Sequence, residues 1–262
     1  MTEKVPGLSA VVITKNEAGN IDRCLSALTF CEEIVIVDSG SSDDTVERAR
    51  AHGARIVDHP FESYGAQREF ARTVGRSPWL LTVDADEVVT PALADEVARV
   101  LQSGPRFVAF EVPFKNYFRG EWIRRAGYYP DRHIRLFQKA SCRYDASRPV
   151  HERLVCDGPV GRLRAHVEHH TFGSVGRFVE KSARYAEHWA LAAHARGRRA
   201  GTSAIFLHTV GRFFRAYFIQ LGFLDGTTGL VMSGLQAAEV FQKYVRLWEL
   251  SRFGPAKVQS NE

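Results

Sequence analysis

Four short apolar runs, separated from one another by helical patterns, occupy the first hundred residues of the chain. The runs cover residues 8–14, 34–37, 54–57 and 79–83. Runs of this length predict strands that are buried on both faces of a sheet. Since parallel strands need a crossover connection, which is usually a helix, the alternation predicts a parallel sheet with helices on both faces. The sequence therefore indicates an α/β fold.

Helix boundaries in this region are marked by capping and stop residues. Ser42 precedes two aspartates and is a candidate N-cap, and Gly53 is a candidate stop for the same helix. Thr90 followed by Pro91 predicts the start of another helix, because a threonine cap and a proline in the first turn both favour that position. These residues support the alternation of strands and helices.

The pattern changes after Pro105. Shorter, mixed strands are predicted at residues 107–113, 133–137, 150–155 and 166–172, and the chain is predicted to be helical from residue 174 onward. We therefore expect an α/β domain over residues 1–173 and a helical region over residues 174–262. A chain of 262 residues accommodates one large domain with such an appendage.

Positive charge is concentrated in the predicted helical region. Between residues 177 and 215 the chain has eight Lys and Arg residues against two Glu residues, and residues 205–223 are rich in Phe and Leu. A basic, aromatic-rich region attracts phosphates of nucleic acid, of lipid head groups or of an anionic glycolipid. A basic amphipathic helix can lie in the plane of the head groups of a membrane, and packing of its aromatic residues in the core is the alternative.

Cysteine usage and the N-terminus bear on location. The four cysteines show no Cys-x-x-Cys pair and no metal-finger spacing, so buried, reduced thiols are expected. Reduced thiols favour a cytoplasmic protein. The first residues contain no apolar signal region, and no uninterrupted apolar stretch is long enough to span a bilayer. We expect a protein that is soluble or lies on a membrane surface.

Polar and acidic residues follow three of the predicted strands. Thr14-Lys15-Asn16-Glu17 follows the first, Asp38-Ser39-Gly40 the second and Asp84-Ala85-Asp86 the fourth. The carboxyl ends of parallel strands lie side by side, so these residues are expected to meet in one crevice. Hard divalent cations take oxygen ligands and often bridge to phosphate groups. A metal-assisted site for a phosphate-bearing substrate is therefore predicted, without the glycine-rich loops of dinucleotide or Walker A sites, which this sequence lacks.

Several motifs in a fixed order resemble a known family. They are Thr-x-Asn-Glu after the first strand, Asp-Ser-Gly-Ser after the second, Asp-Ala-Asp-Glu after the fourth, Tyr129-Pro130-Asp131-Arg132 with Arg135-Leu136-Phe137, Val150-His151-Glu152, Phe223-Leu224-Asp225-Gly226 and Lys243-Tyr244 with Leu247-Trp248-Glu249. Together they resemble family 2 glycosyltransferases of the GT-A fold, and more narrowly the lipopolysaccharide core β-glucosyltransferase branch, the WaaE/KdtX-like proteins. The resemblance runs from about residue 8 to residue 250.

The resemblance has consequences for fold and activity. It implies a GT-A (Rossmann-like) mostly parallel sheet flanked by helices, with a C-terminal helical extension. Residues 1–173 would bind the nucleotide sugar and catalyse its transfer. Residues 174–262 would bind the acceptor, the membrane surface or both. The implied reaction is inverting transfer of a sugar, glucose being the family expectation, from a UDP-sugar to a hydroxyl of a lipopolysaccharide-core or other lipid-linked glycan.

The resemblance also implies cofactors, partners and location. The cofactor would be Mn²⁺ or Mg²⁺, and the partners would be the UDP-sugar, the glycan acceptor and an anionic membrane surface. No nucleic-acid partner is expected. The protein would be cytoplasmic and peripheral on the cytoplasmic face of the inner membrane.

Site residues follow from matching the motifs residue by residue. Glu17 and Asp38 would contact uridine, Asp84 would lie near the ribose or the metal, and Asp86 would ligate the metal together with the diphosphate. His151 is a possible further metal ligand. The predicted nucleotide-binding set is Thr14, Asn16, Glu17, Asp38, Ser39, Gly40, Arg68, Asp84, Arg132 and Arg135.

The acceptor hydroxyl needs a base, and a carboxylate is the usual choice. Glu152 is the first candidate and Asp131 its main rival. Arg132 and Arg135 either clamp the diphosphate or form salt bridges. The run Glu168-His169-His170 is predicted to be structural, because neighbouring residues of a strand point to opposite faces.

Two other functions are compatible with the sequence. The first is a catalytically inactive module on a transferase fold that binds a glycan or a partner, which intact Asp84, Asp86 and Glu152 disfavour. The second is a sugar-phosphate nucleotidyltransferase, which would be expected to carry a glycine-rich, basic loop after the first strand. Residues 14–19 do not have that composition.

Overall fold

The computed structural model describes residues 4–145 and 153–254. The strands are β1 Val5–Thr14, β2 Cys31–Asp38, β3 Arg55–Asp58, β4 Trp79–Asp84, β5 Glu87–Val89, β6 Ala109–Phe118, β7 Glu121–Trp122, β8 Asp131–Gln138, β9 Cys142–Tyr144, β10 Leu154–Cys156, β11 Val160–Arg162 and β12 Val167–Phe172. The α-helices are α1 Ile21–Ser26, α2 Thr45–Ala51, α3 Tyr64–Val74, α4 Pro91–Gln102, α5 Val175–Ala195, α6 Thr202–Phe214 and α7 Gly226–Phe253.

The chain divides into two compact units. Unit 1 comprises Met1–Lys115 and Pro130–Thr171, and unit 2 comprises Asn116–Tyr129 and Phe172–Glu262. Unit 1 contains the α/β part, and unit 2 contains α5, α6 and α7. The assignment of nucleotide-sugar binding and catalysis to residues 1–173, and of the acceptor or membrane to residues 174–262, stays a prediction.

The main sheet is mixed, and its parallel half is the half predicted from the alternating pattern. Strands β3, β2, β1 and β4 lie in this spatial order and are parallel. The order continues with β8, β6, β12 and β5, and β8 is antiparallel to both β4 and β6. The α/β fold class with a C-terminal helical extension is therefore confirmed.

Side-chain alternation builds a core on each face of the parallel strands. Val11 and Leu80 pack on one face, with Ala71 of α3. Their neighbours Val12 and Leu81 pack on the opposite face, in the cluster that contains residues of α1 and α4. Because successive side chains of a strand point to opposite faces, uninterrupted apolar runs are what a sheet covered on both sides requires.

Element boundaries differ from the sequence expectations at several places. The predicted strand 107–113 begins at Ala109 and extends to Phe118. Strands β5, β9 and β11 were not predicted, because three residues are too few to show a period. Of the predicted strand 150–155, residues 150–152 lie outside the described residues, and β10 covers Leu154–Cys156.

Of two predicted N-cap residues, one is confirmed and the other is wrong. Thr90 caps α4 as predicted: its side chain accepts a hydrogen bond from the Leu93 N–H, and Pro91 occupies the first helical position. The prediction of Ser42 as an N-cap is wrong, since α2 begins at Thr45 with Asp44 at the N-cap. Ser42 instead donates its N–H to Asn16 Oδ1 at 2.8 Å. This serine therefore connects two loops and does not cap the N-terminus of α2.

Unit 2 is organised around the pairing of α5 with α7. Small residues of α5, Ala190 and Ala193, are buried with Leu247 of α7. A π-helical segment, Arg215–Ile219, and a 3₁₀ turn, Gly222–Asp225, connect α6 to α7. Asp225, at the end of that turn, accepts hydrogen bonds from the N–H groups of Arg124 and Arg125 at 2.9 and 2.8 Å. The Phe-Leu-Asp-Gly motif thus has a structural role within unit 2.

The cysteines and helices agree with two further expectations. All four cysteines are free thiols; Cys24, Cys31 and Cys142 are buried, and the Sγ atoms of Cys142 and Cys156 lie 2.8 Å apart. Burial raises the pKa of the Cys24 thiol, which keeps it protonated. Among the described residues, none of the helices combines the length and the apolar character that crossing a membrane requires.

Candidate active site

The carboxyl ends of three neighbouring strands bring acidic residues together in unit 1. In the register of the sheet, Thr14 of β1 pairs with Asp38 of β2, and Ile13 of β1 pairs with Asp84 of β4. The motif after β1 therefore lies between the motifs after β2 and β4, and all three meet at one edge of the sheet. This edge is where open α/β sheets bind ligands.

Asp38 holds the loop after β2 in place. It is buried, and its carboxylate accepts three hydrogen bonds, from Thr14 Oγ1 at 2.9 Å and from the N–H and Oγ of Ser41 at 2.7 and 2.6 Å. Ser39 accepts a hydrogen bond from Gln67 Nε2 at 2.9 Å, which ties the same loop to α3. This edge of the sheet is therefore pre-organised by hydrogen bonds between protein groups. The predicted contact of Asp38 with uridine stays a prediction.

Asn16 links the loops after β1 and β2. It adopts a left-handed backbone conformation with φ of 57°, a region that Asn tolerates better than most residues. Its N–H donates to Ser41 Oγ at 2.8 Å, and its Oδ1 accepts from Ser42. Glu17 accepts a hydrogen bond from Asn20 Nδ2 at 2.8 Å. Asn16 therefore connects the two loops, and the predicted contacts of Asn16 and Glu17 with the nucleotide stay predictions.

Asp84 belongs to a network of four charged side chains. Arg68 Nη2 lies 2.9 Å from each carboxylate oxygen of Asp84, and Arg135 Nη2 lies 2.9 Å from Oδ2. Arg135 also contacts Glu87, whose side chain is completely buried. The backbone N–H of Asp84 donates to Glu87 Oε2 at 3.0 Å. Arg135 therefore forms the salt bridges that are one of its two predicted roles, and its contact with the diphosphate stays a prediction.

Burial and the arginines push the pKa values of the two carboxyl groups apart. Burial acts to raise the pKa of Asp84, but the charges of Arg68 and Arg135 outweigh it, so the pKa of Asp84 lies well below its usual value. Burial raises the pKa of Glu87 to about 7; Arg135 opposes this shift and the charge of Asp84 adds to it. Asp84 is therefore ionised throughout the physiological range.

Asp86 lies beside a histidine from a distant part of the chain. His169 Nε2 is 3.4 Å from Asp86 Oδ2, and the backbone N–H of His170 donates to the Asp86 carbonyl oxygen at 3.0 Å. Burial acts to lower the pKa of His169, but the hydrogen bond to Asp86 and the charge of that carboxylate outweigh it, so the pKa of His169 is raised. The antiparallel pairing of β12 with β5 produces this contact.

The residues at this edge can be tested for their fit to a divalent cation. Both oxygens of Asp84 contact guanidinium groups, and a cation placed against them would face these positive charges. The neighbour of Asp86 is an imidazole, which can itself ligate a divalent ion. Asp86 therefore fits a metal, and Asp84 fits its predicted place near the ribose better than a place in the metal shell.

Substrate oxygens, or residues outside the described ranges, would have to complete the coordination of such an ion. In the part of the chain that the structure describes, no three His, Cys, Asp or Glu side chains are grouped so that they could hold a metal by themselves. Mg²⁺ is commonly held by one or two carboxylates together with substrate phosphates and water. The donor set at Asp86 is consistent with that mode of binding.

The structure describes only one of the two candidate general bases. Glu152 and His151 lie outside the described residues. Asp131 is the first residue of β8, and its Oδ1 lies 3.0 Å from His133 Nε2, with both side chains partly exposed to solvent. Arg132 donates a hydrogen bond to the Leu163 carbonyl oxygen at 3.1 Å. Asp131 therefore has an imidazole partner, and the choice between the two bases stays a prediction.

Two residues of this site escaped sequence reasoning. Glu87 was not singled out, although it completes the charge network around Asp84. His169 was predicted to be structural as part of a strand, yet it contacts Asp86. A carboxylate directly after Asp-x-Asp was the only signal for Glu87. For His169 the necessary information was the pairing of β12 with β5, to which no local pattern in the sequence points.

Comparisons with known proteins bear on this site. Residues 9–155 match the family model described as glycosyl transferase family 2. The chain is 30% identical over 269 residues to the lipopolysaccharide core biosynthesis glycosyltransferase LpsC of Rhizobium meliloti, covering 93% of this chain and 95% of LpsC. It is 29% identical over 262 residues to an uncharacterized glycosyltransferase of Rickettsia bellii, covering 96% of this chain and 88% of the relative.

The similarity to solved structures covers a smaller share of the chain. Glucosyl-3-phosphoglycerate synthase from Mycobacterium tuberculosis, in complex with Mn²⁺, uridine diphosphate and glucosyl-3-phosphoglycerate, aligns with a TM-score of 0.35 and 24% sequence identity. The alignment covers 43% of this chain and 44% of the synthase. The same enzyme in complex with Mg²⁺ and uridine diphosphate aligns with a TM-score of 0.34 and 25% identity.

Proposed function

Because this chain belongs to glycosyl transferase family 2, we propose that it transfers a sugar, glucose being the first candidate, from a UDP-sugar to a hydroxyl of a lipopolysaccharide-core or other lipid-linked glycan. The observation that carries the proposal is the position of Asp84 and Asp86 at the carboxyl end of β4, at the same sheet edge as the loops after the neighbouring β1 and the next strand, β2. The acceptor class is supported by the name of LpsC, the relative that aligns over nearly the whole chain.

The residues of unit 1 suggest how the donor is held. Asp84 is fixed by Arg68 and Arg135, so an ionised carboxylate stands at the strand end in one orientation. A carboxylate at such a position can accept hydrogen bonds from ribose hydroxyls. The loops that contain Glu17, Asp38, Ser39 and Gly40 would enclose the uridine, and their mutual hydrogen bonds reduce the ordering that binding costs.

A divalent ion, Mn²⁺ or Mg²⁺, is part of this proposal. Asp86 would hold it, with His151 as the further ligand implied by resemblance and His169 beside Asp86 in the structure. When bound, the ion neutralises the charge that develops on the leaving diphosphate. The side chains around Asp84 are already held by their ion pairs, so they would need no reorganisation during the reaction.

The acceptor side of the reaction needs a proton acceptor. We propose Glu152 as the general base, with Asp131 as the rival, on the face of the sugar opposite the diphosphate. Attack from that face inverts the configuration at the anomeric carbon, so the proposed reaction is inverting. If Asp131 is the base, the imidazole of His133 lies 3.0 Å away and can take the proton from it in turn.

Release of UDP is the test of this function. The full chain is incubated with UDP-glucose, UDP-galactose and UDP-N-acetylglucosamine, with and without Mn²⁺ and with and without a lipopolysaccharide-core acceptor. We expect release of UDP that requires the acceptor and increases with Mn²⁺. A protein that binds the nucleotide sugars without releasing UDP would be a binding module, and pyrophosphate chemistry on sugar phosphates would indicate a nucleotidyltransferase; either result would overturn the proposal.

We further propose that unit 2 works at an anionic membrane surface, on the cytoplasmic face of the inner membrane. Helix α6 contains no buried side chain. Phe206, Val210, Phe214 and Phe218 follow one another at intervals of four residues and are each 48 to 64% exposed. Four-residue spacing places them in one stripe, and contiguous apolar patches are uncommon on monomeric soluble proteins unless they bind something.

Charge near this stripe favours lipid over a protein partner. Arg196 and Arg199, between α5 and α6, are exposed, as is Arg215 directly after α6. Arginines beside an inserted apolar face can contact lipid phosphates, each adding to the attraction. The proposed acceptor is itself lipid-linked, so docking would bring the enzyme to its substrate.

Flotation with liposomes tests the membrane proposal. The wild-type protein is expected to float with anionic vesicles at low salt and to float less as salt screens the charges. The double variant Phe206→Ser/Phe214→Ser should lower the vesicle affinity about tenfold or more, since each buried Phe contributes roughly 1.5–3 kcal/mol. Arg196→Glu/Arg199→Glu should also weaken binding.

The matched control is Phe61→Ser, which removes an exposed Phe from unit 1. This variant should float like the wild type, and all variants should keep the wild-type circular dichroism. A wild-type protein that stays at the bottom of the gradient at low salt would contradict the proposal. Self-association through the stripe would contradict it as well. Light scattering would then show a dimer of the wild type and a monomer of Phe206→Ser/Phe214→Ser.

A further inference from the structure

A cavity of about 410 Å³ that is open to solvent is formed by α5, α6 and α7 of unit 2. Its walls come from all three helices and from the start of the π-helical segment. The lining residues are Trp189, Leu207, His208, Gly211, Arg212, Arg215, Val240, Lys243 and Tyr244. A volume in this range suits a small ligand or the head of a larger one.

The charged residues of the lining are all basic. Arg212, Arg215 and Lys243 line the cavity, and no carboxylate does. Arg212 donates to the Gln236 side-chain oxygen, and Lys243 Nζ pairs with Glu239 at 2.5 Å. Within residues 4–145 and 153–254, the guanidinium of Arg215 makes no hydrogen bond or ion pair with a protein side chain. The cavity therefore has more positive charge than the protein itself neutralises.

Aromatic rings form another part of the cavity wall. The imidazole of His208 stacks on Tyr244 with a centroid distance of 4.2 Å and an angle of 13°. Trp189 packs against the same tyrosine at 5.2 Å, and the Arg198 guanidinium lies 5.2 Å from the Trp189 ring centroid. Tyr244 is buried, which fixes this wall. Rigid aromatic rings beside a few placed polar groups are typical of small-molecule sites.

Gly211 keeps one side of the cavity open. It lies in the interior of α6, where a glycine is less favourable than an alanine by roughly 0.5–1 kcal/mol. Its φ is not in the left-handed region, so the backbone does not require glycine there. A Cβ at this position would meet no atom within 4 Å. A larger side chain can therefore be placed here without a clash at its Cβ, and it would project beside the cavity.

We propose that this cavity binds a phosphate group carried on a sugar or on a lipid head group. Guanidinium and ammonium groups bind phosphate through charge-assisted hydrogen bonds, and Arg offers a planar fork that matches phosphate oxygens. A phosphate monoester carries close to two negative charges at neutral pH, so it matches Arg212 and Arg215, whose charges no carboxylate of the cavity lining neutralises, better than a carboxylate does. The organic part of the ligand would pack on Trp189 and Tyr244.

This site is separate in residues and chemistry from the donor site in unit 1. It requires neither a metal nor the transfer reaction, so its test is independent of the proposed sugar transfer; it shares Arg215 with the proposed membrane-binding surface. If the enzyme acts on a lipid-linked glycan, a phosphate on that glycan or on its lipid is the source that the cavity would select.

Calorimetric titration of the full chain tests the proposal with glucose 6-phosphate, inorganic phosphate and glucose as probes. Excess UDP is present in every titration, to occupy the donor site. We expect glucose 6-phosphate to bind, inorganic phosphate to bind more weakly and glucose not to bind. Arg215→Gln should weaken the binding of glucose 6-phosphate about tenfold or more, because one charge-assisted contact is lost.

Gly211→Leu is the second variant, since it narrows the cavity and leaves every charge in place. It is expected to weaken binding at least as much as Arg215→Gln while circular dichroism stays unchanged. Arg184→Gln is the matched control, because Arg184 is an exposed arginine of α5 outside the cavity lining. Its affinity should equal that of the wild type.

Vesicles of phosphatidylcholine with and without phosphatidic acid separate the two sources of phosphate. Binding to phosphatidic acid that Gly211→Leu reduces, without binding of glucose 6-phosphate, assigns the site to a lipid phosphate; the reverse assigns it to a sugar phosphate. The proposal is overturned if none of the probes binds, or if binding is the same in the wild type, Arg215→Gln and Gly211→Leu. UDP release by the same protein preparations is measured separately, so failure here and failure of the proposed transfer are distinguishable.

Discussion

Asp86→Asn is expected to lower kcat/KM for sugar transfer about a thousandfold or more while the protein stays folded. The change keeps the size of the side chain and removes the charge that would hold a divalent ion against the diphosphate. Such an ion supplies several kcal/mol of charge stabilisation in the transition state, and about 4 kcal/mol corresponds to a thousandfold in rate. The wild-type enzyme should correspondingly lose its activity in EDTA and regain it with Mn²⁺.

The Asp86 prediction has a readout other than turnover. Electron paramagnetic resonance of Mn²⁺ in the presence of UDP should show bound metal with the wild type and little with Asp86→Asn. Asp157→Asn is the matched control, since Asp157 is an exposed aspartate of unit 1 whose side chain pairs with Arg143. It should keep activity and metal binding. Full activity of the wild type in EDTA, or an Asp86→Asn protein as active as Asp157→Asn, would show that Asp86 is not a metal ligand.

Arg135→Met is expected to destabilise the protein by about 3–5 kcal/mol. Arg135 is buried, and it neutralises both Asp84 and Glu87. Methionine of similar length fills the space, but it removes the cation that contacts the fully buried Glu87, while Asp84 keeps its contact with Arg68. Removing one partner of a buried ion pair is strongly destabilising for this reason. Urea unfolding measures the change in the free energy of unfolding.

A neighbour on the same strand provides the control for Arg135. Arg132→Met removes an exposed arginine of β8 that donates one hydrogen bond to a carbonyl oxygen, and it should cost about 1 kcal/mol or less. The double variant Arg135→Met/Glu87→Gln should recover a large part of the loss, because the uncompensated charge is gone. The assignment fails if Arg135→Met costs no more than Arg132→Met, or if Glu87→Gln restores nothing.

The arrangement of charges explains why one Asp-x-Asp motif contains two different carboxylates. Asp84 is held by two arginines and is part of the folded framework, whereas Asp86 faces the His169 imidazole. Groups whose positions are fixed before the substrate binds need no reorganisation during reaction. Glu87 belongs with Asp84, since its burial and its contact with Arg135 stabilise the strand end rather than the reacting atoms.

The local pattern of the sequence was sufficient for the parallel half of the fold. Uninterrupted apolar runs predicted β1, β2, β3 and β4, because strands covered on both faces cannot alternate apolar with polar residues. Since parallel strands end at one edge, the same pattern placed Thr14, Asp38 and Asp84 together. The helix cap at Thr90 was predictable for a similar reason, as capping depends on residues within one turn. The family followed from the order of the motifs.

Contacts between residues far apart in the chain were decided only by the tertiary structure. The packing of β8 against β4 brings Arg135 to Asp84 and Glu87, and the pairing of β12 with β5 brings His169 to Asp86. Ser42 has the composition of a helix cap, yet its N–H bonds to Asn16. In unit 2, periodicity could not tell an aromatic core from an exposed stripe, because burial depends on which neighbours pack against each helix face. Local periodicity fixes which residues share a face, and packing alone decides what that face meets.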